Sequence, residues 1–162
     1  YVLNGEFTDS EMNELYNNPK VKAMISLTKG EGFGRPLLEF TTTGKPVIAS
    51  GWSGHTDFLH KNHSILIPGN LEPVHPSASN NWLIKESRWF QPDTRFVGQV
   101  FRDTFEKPKE SQNNAKRQKH YTQQNFSWEK MKDLIDITFT DNIPEFAQKI
   151  ELNLPKLNLP KL

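Results

Sequence analysis

Two glutamates, Glu31 and Glu39, enclose the segment whose residue types are suited to chemistry: Gly30-Glu-Gly-Phe-Gly-Arg-Pro-Leu-Leu-Glu39. Gly32 and Gly34 let a ligand approach the main chain closely, because no Cβ stands in the way. Pro36 fits the start of a helix. The run therefore reads as a loop feeding a helix, whose first amides are free donors at the positive end of the helix dipole. That end attracts an anion, whereas two flanking carboxylates repel one. The conflict resolves for a ligand with phosphates in its middle and hydroxyls at both ends, since a carboxylate's two oxygens match the two donors of a vicinal diol. A sugar nucleotide has that layout.

Rival chemistries fit less well. A dinucleotide fingerprint needs a third glycine where Arg35 stands, and a P-loop needs Ser or Thr after Gly44-Lys45, where Pro46 follows. A glycosidase carboxylate pair needs a larger scaffold than this chain offers. His55, His60 and His63 suggest a metal, but there is no Cys, no suitably spaced carboxylate set and no Asp-x-Asp anywhere. No metal is expected. Lys29 and Arg35 are either phosphate contacts or solvated rim charges. The stretch 107–120 carries five Lys/Arg against one Glu. It lacks the interleaved aromatics of a nucleic-acid surface and reads as a solvated helix face.

The elements that must position these residues alternate. Tyr1-Val-Leu3 reads as a short strand and Thr8-Asp-Ser-Glu11 as a capping box, followed by an apolar face of Met12, Leu15 and Tyr16. Ala23–Leu27, Pro46–Ser50 and Ser64–Pro68 are near-continuous apolar runs, as in strands buried on both faces. With a helix between Pro36 and Gly44, the order is β-α-β-α-β, the pattern of a parallel sheet covered by helices. Residues 69–91 read as a long loop with one short strand around Trp82-Leu-Ile84. A helix resumes near Asp93 with Phe96, Val97, Val100, Phe101 and Phe105 on one stripe, and another starts at Ser127 with Trp128, Leu134 and Ile135 as its core face. The repeat Asn153-Leu-Pro-Lys-Leu157, Asn158-Leu-Pro-Lys-Leu162 excludes a helix and predicts an extended tail.

At 162 residues the chain is one domain with a decorated end, large enough to bury about 70% of its unfolded surface. The expected division is a domain over 1–140 and the tail over 141–162. Only 35% of residues are hydrophobic, mean hydropathy is −0.70, and no run of about 18 apolar residues exists to span a bilayer. Balanced charge (20 Lys+Arg, 19 Asp+Glu) gives no global pull toward nucleic acid or lipid. No charged-then-apolar leader follows Tyr1. A cytoplasmic chain cut from something longer is expected.

The segment Glu31–Glu39 resembles the E-x7-E motif of retaining glycosyltransferases of the two-domain GT-B type, the large group-1 family. The likeness extends over Ile25-Ser-Leu-Thr-Lys-Gly-Glu-Gly-Phe-Gly-Arg-Pro-Leu-Leu-Glu39, Thr43-Gly-Lys-Pro-Val-Ile-Ala-Ser50 and Ser64-Ile-Leu-Ile-Pro68, and loosely over Phe126-Ser-Trp-Glu129. It covers residues 1–70 well and 92–138 loosely; 70–91 and the tail lie outside it. It implies a Rossmann-like α/β/α parallel sheet, the C-terminal half-domain of such an enzyme, with a helical C-terminal part.

The resemblance also implies roles. Glu31 would contact hydroxyls of the transferred sugar, which is the catalytic position. Glu39 would contact the nucleotide ribose, and the backbone of Gly32, Phe33 and Gly34 would lie along sugar and diphosphate. Ser50–Gly54 would line the domain cleft, and Asn4 and Gly5 would meet the base. The nucleotide-diphosphate sugar is a substrate, so no cofactor is implied. The family's cationic clamp and N-terminal acceptor-binding domain would be separate partners, and this chain alone would not turn over. The rival from another class is a non-catalytic binding or structural module that keeps the fold.

Overall fold

The computed structural model describes residues 1–144. The chain divides into two compact units, Tyr1–Ser127 and one beginning at Trp128. In the first, three short strands, β1 (Met24–Ser26), β2 (Val47–Ser50) and β3 (Ile65–Ile67), form a parallel sheet in the order β1-β2-β3. Ile48 stands opposite Ile25 on one side and Ile65 on the other. All four residues of β2 are buried. Successive strand residues face opposite sides, so Val47 and Ala49 join a cluster with Leu37, Phe40, Phe58 and Leu59, while Ile48 packs with Ile67 and Val100. The α/β pattern of the sequence is therefore realised, with apolar packing on both faces of the central strand.

Helix α2 (Arg35–Thr41) supplies Leu37 and Phe40 to the first cluster, and α3 (Thr94–Glu106) supplies Val97 and Val100 to the second. Helix α1 (Asp9–Asn17) begins with the expected capping box. The Glu11 amide donates to Thr8 Oγ1, and the Thr8 amide donates to Glu11 Oε2 at 2.8 Å. Lys45 holds the other end, its Nζ donating to the carbonyls of Tyr16 (2.6 Å) and Asn18 (2.7 Å). This is a cation on the carbonyl end of a helix. Burial, and to a lesser degree the nearby Lys22 charge, push the Lys45 ammonium below its usual range.

Helix α4 (Pro108–Asn125) is held by polar groups. Gln118 is fully buried; its Oε1 accepts from the His60 amide and the Ser64 hydroxyl, and its Nε2 donates to the Phe58 carbonyl (2.7 Å) and to Thr122 Oγ1. Thr41 gives its one hydroxyl proton to the Leu38 carbonyl, so in the 2.9 Å Thr41–Thr122 contact Thr122 donates. The solvated-face reading of 107–120 thus holds for Lys107, Lys109 and Lys116, but Ala115 and Gln118 are buried, as is Thr122 just beyond.

Several expectations are corrected. Residues 1–3 form no strand and are exposed, because a strand exists only by pairing and none of the described residues pairs with them. Asn4-Gly5 consequently ends no strand. Ile25 is half exposed, since β1 is an edge of the sheet. The stretch around Trp82 is not a strand, and Trp82 is almost wholly exposed. Instead β4 (Gly69–Pro73) and β5 (Arg88–Pro92) pair antiparallel across it, Leu71 opposite Phe90. On α3, Phe96, Phe101 and Phe105 are exposed: their stripe is wider than the area the sheet covers.

In the second unit, α5 spans Trp128–Asn142 as the periodicity predicts, yet Trp128, Leu134 and Ile135 are exposed. Helix formation there is a local matter and burial is not. The repeat-bearing tail lies outside the described residues. Among the described residues, no helix is long and apolar enough to cross a membrane.

Candidate functional site

The glycine-rich loop follows β1 and lies at the carboxyl ends of the parallel strands, where open α/β sheets bind ligands. A second loop, from Gly51 to the 3-10 turn Gly54–Asp57, follows β2 and braces it. The Glu31 amide donates to Ser53 Oγ (2.9 Å), and that hydroxyl donates back to the Glu31 carbonyl (2.7 Å), which also accepts from the Gly54 amide. The contact demands glycine at 54: a Cβ there would stand 1.9 Å from the Gly32 carbonyl oxygen. Ser53 carries the strain, with φ 90° and ψ −174°, and is the one non-glycine residue at positive φ among the described residues. That region is close to glycine-only and costs about 1–3 kcal/mol.

His55 anchors the same turn. It is fully buried, with Nε2 2.6 Å from the Ser50 carbonyl. A carbonyl only accepts, so Nε2 is the donor, and Nδ1 is buried without a hydrogen bond. Gly34 caps α2 in the left-handed region at φ 87°, where a side chain would be strained and would crowd His55 and Glu31. Arg35 takes the first helical position and Pro36 the second, one residue later than the sequence suggests. Among the described residues the amides of Gly32, Phe33 and Gly34 donate to nothing. Gly32 and Phe33 are exposed, and the Phe33 ring leans on Phe58 at 5.1 Å. The loop thus presents open donors on a fixed backbone.

The two glutamates are placed differently. Glu31 is half-buried beside Gly34, whereas Glu39 lies exposed in the second turn of α2, 3.1 Å from Arg35 Nε. Glu39 lines a cavity of about 500 Å³ with Tyr16, Asn13, Asp9 and Arg35. Glu31 is not part of that lining. Burial first, and the Glu39 charge second, push the Tyr16 hydroxyl above its usual range. The cavity therefore holds a carboxylate acceptor next to a phenol that stays protonated as a donor.

The flanking cations are both engaged. Lys29 Nζ sits 3.4 Å over the Trp89 ring, and Arg35 pairs with Glu39. The β4–β5 hairpin, which sequence reading leaves outside the site, reaches it: the Phe90 amide donates to the Lys29 carbonyl, and Trp52 stacks on Phe90 with ring planes 7° apart. His60 and His63 stack at 4.4 Å, away from His55's bond to the strand end. Among the described residues no group of three or more His, Asp or Glu is placed to hold a metal ion.

No protein-family model matches the chain, and no curated protein matches it. Its own geometry carries the functional reading. Of the bracing trio, Ser53 and Gly54 lie in a small-residue loop that sequence reading picks out only as a cleft wall, and His55 is weighed there only as a metal ligand. Its pairing with Glu31 spans 22 residues and leaves no local periodicity to read.

Proposed function

We propose that this chain is the donor-binding part of a retaining glycosyltransferase, a Rossmann-like half-domain of the GT-B kind that holds a nucleotide-diphosphate sugar. The observation that carries the reading is the braced loop 30–34: the unpaired amides of exposed Gly32 and Phe33, with that of buried Gly34 behind them, at the carboxyl ends of parallel strands, with a carboxylate at the loop and another on the following helix. Open amides suit a diphosphate, and carboxylates suit the diols on either side of it. In this reading Glu31 meets sugar hydroxyls, Gly32, Phe33 and Gly34 lie along the diphosphate, and Glu39 accepts from the ribose beside Tyr16. Both carboxylates act as acceptors and no metal is required.

Saturation-transfer NMR across nucleoside diphosphates and their sugars tests this. Transfer to ribose protons is expected in the wild type, with affinity falling by about 1.5–3 kcal/mol in Glu39→Gln as one charge-assisted hydrogen bond is lost. The exposed Arg35–Glu39 pair is worth only about 0.3–0.5 kcal/mol of stability, so folding should hardly change. Equal affinity in the variant removes Glu39 from the site, and no transfer from any member of the series removes the reading.

A further inference from the structure

A second cavity, of about 430 Å³, lies where α4 meets the 60–64 turn and is lined by His63, Lys116, Arg117, His120, Tyr121 and Gln124. No carboxylate lines it. Every one of these side chains can donate a hydrogen bond, and two are a lysine and an arginine. Lys116, Arg117, His120, Tyr121 and Gln124 follow one another at the spacing of a single helical face; His63 comes from the turn that leads into β3. Neither Lys116 nor Arg117 pairs with an acidic side chain among the described residues.

The two walls are locked together. Gln118, one helical position from the cavity face, accepts from the His60 amide and the Ser64 hydroxyl and so clamps the 60–64 turn to α4. The His63 and Ser64 amides both donate to the His60 carbonyl, and the His60 ring stacks on His63 and tilts against Tyr121 at 5.3 Å. His63 Nδ1 is buried and makes no hydrogen bond. A surface arranged only to solvate its lysines needs no such clamp.

We propose that this cavity binds a phosphoryl group, the terminal phosphate of a small or lipid-borne monoester. Several donors and two cations lining one space suit a compact dianion. The site is separate from the loop at Glu31 and does not rest on the reading given there.

The test is amide-detected NMR titration of the full chain with inorganic phosphate, with glycerol phosphate and with vesicles containing phosphatidic acid. Saturable shifts centred on His63, Lys116, Arg117 and His120 are expected with both soluble probes. Binding should weaken roughly tenfold or more in Lys116→Gln/Arg117→Gln and stay unchanged in Lys109→Gln, which lies on α4 outside the cavity. Both substitutions fall on exposed side chains, and a melting curve matching the wild type shows that the fold is kept. Tighter binding to the vesicles than to glycerol phosphate supports a lipid-borne source, and equal binding a soluble one. Shifts spread over the surface lysines, unsaturable binding, an unaffected double variant, or preference for a short oligonucleotide with a steep salt dependence would each overturn the proposal.

Discussion

The strand-end loop and the seam between α4 and the 58–64 segment use one device to opposite ends. In each, a side chain bonds across a long sequence separation to fix a backbone. Ser53 gives the 30–34 loop two hydrogen bonds and leaves the next amides open. Gln118 makes four and leaves none of its own groups open. A buried polar group that is fully satisfied confers rigidity; donors fixed but unpaired, and reachable by solvent, confer a place for a ligand. The difference also shows in cost. The loop holds strain at Ser53, a contact at Gly54 that excludes any side chain and a left-handed Gly34, whereas Gln118 makes its bonds without any of these.

The largest expected effect breaks the seam. Gln118→Leu keeps the volume but strands the His60 amide, the Ser64 hydroxyl and the Phe58 carbonyl, and buried polar groups without partners cost about 1–3 kcal/mol each. We expect a loss of about 3–5 kcal/mol in urea denaturation, and a loss below about 1 kcal/mol would mean that the network is not buried as described. Gly54→Ala attacks the loop instead. Its Cβ would meet the Gly32 carbonyl oxygen at 1.9 Å, and a backbone atom cannot swing aside as a side-chain tip can. A loss of about 3 kcal/mol is expected, together with weaker nucleoside diphosphate binding; the seam variant, which does not touch the loop, should lose stability in greater proportion than affinity.

Ser53 sharpens the comparison. Ser53→Ala keeps the strained conformation and loses both hydrogen bonds, about 0.5–1.5 kcal/mol each. Ser53→Gly loses the same bonds but relieves about 1–3 kcal/mol of strain, so its stability should stay within about 1 kcal/mol of the wild type. Glycine melting below alanine would refute the strain assignment.

The smallest effect is electrostatic and lies at the helix starts, outside both regions. Donation from the Arg95 side chain and amide holds the Asp93 carboxyl below its usual range, and the Thr8 amide and hydroxyl do the same for Glu11. Each folded pKa lies below its unfolded value, so each adds stability above the ordinary carboxylate range that is lost as pH falls through it. Helix signal in circular dichroism should decline between about pH 5 and pH 2, and Asp93→Asn should remove part of that slope. An unchanged slope in the variant would exclude Asp93 as its source.

The legible parts of this molecule are those written in neighbouring residues. The capping box at Thr8 and Glu11, the apolar runs that become β1, β2 and β3, and the glycine-rich loop before α2 depend on interactions within a few positions, so composition and spacing suffice. The hairpin was illegible because its arms, 69–73 and 88–92, recognise each other across an irregular stretch, and neither alternates cleanly. The Trp82 strand was expected from residue type alone, which carries no information about a pairing partner. Gln118 reads as part of a solvated face because a polar residue on a polar helix gives no sign that four groups, an amide, a carbonyl and two hydroxyls, converge on it.

Sequence alone determined the α/β order from α1 to β3, the candidate site's position after the strand at 24–26 and the residue types gathered there. Only the tertiary structure decided that Ser53, Gly54 and His55 brace the loop, that Glu39 opens toward α1 while Glu31 stays by Gly34, and that Lys116 and Arg117 share a cavity with His63. The reason is physical. Helices and turns are set by forces between residues close along the chain, while bracing, burial and convergent charge depend on groups that chain folding brings together from far apart.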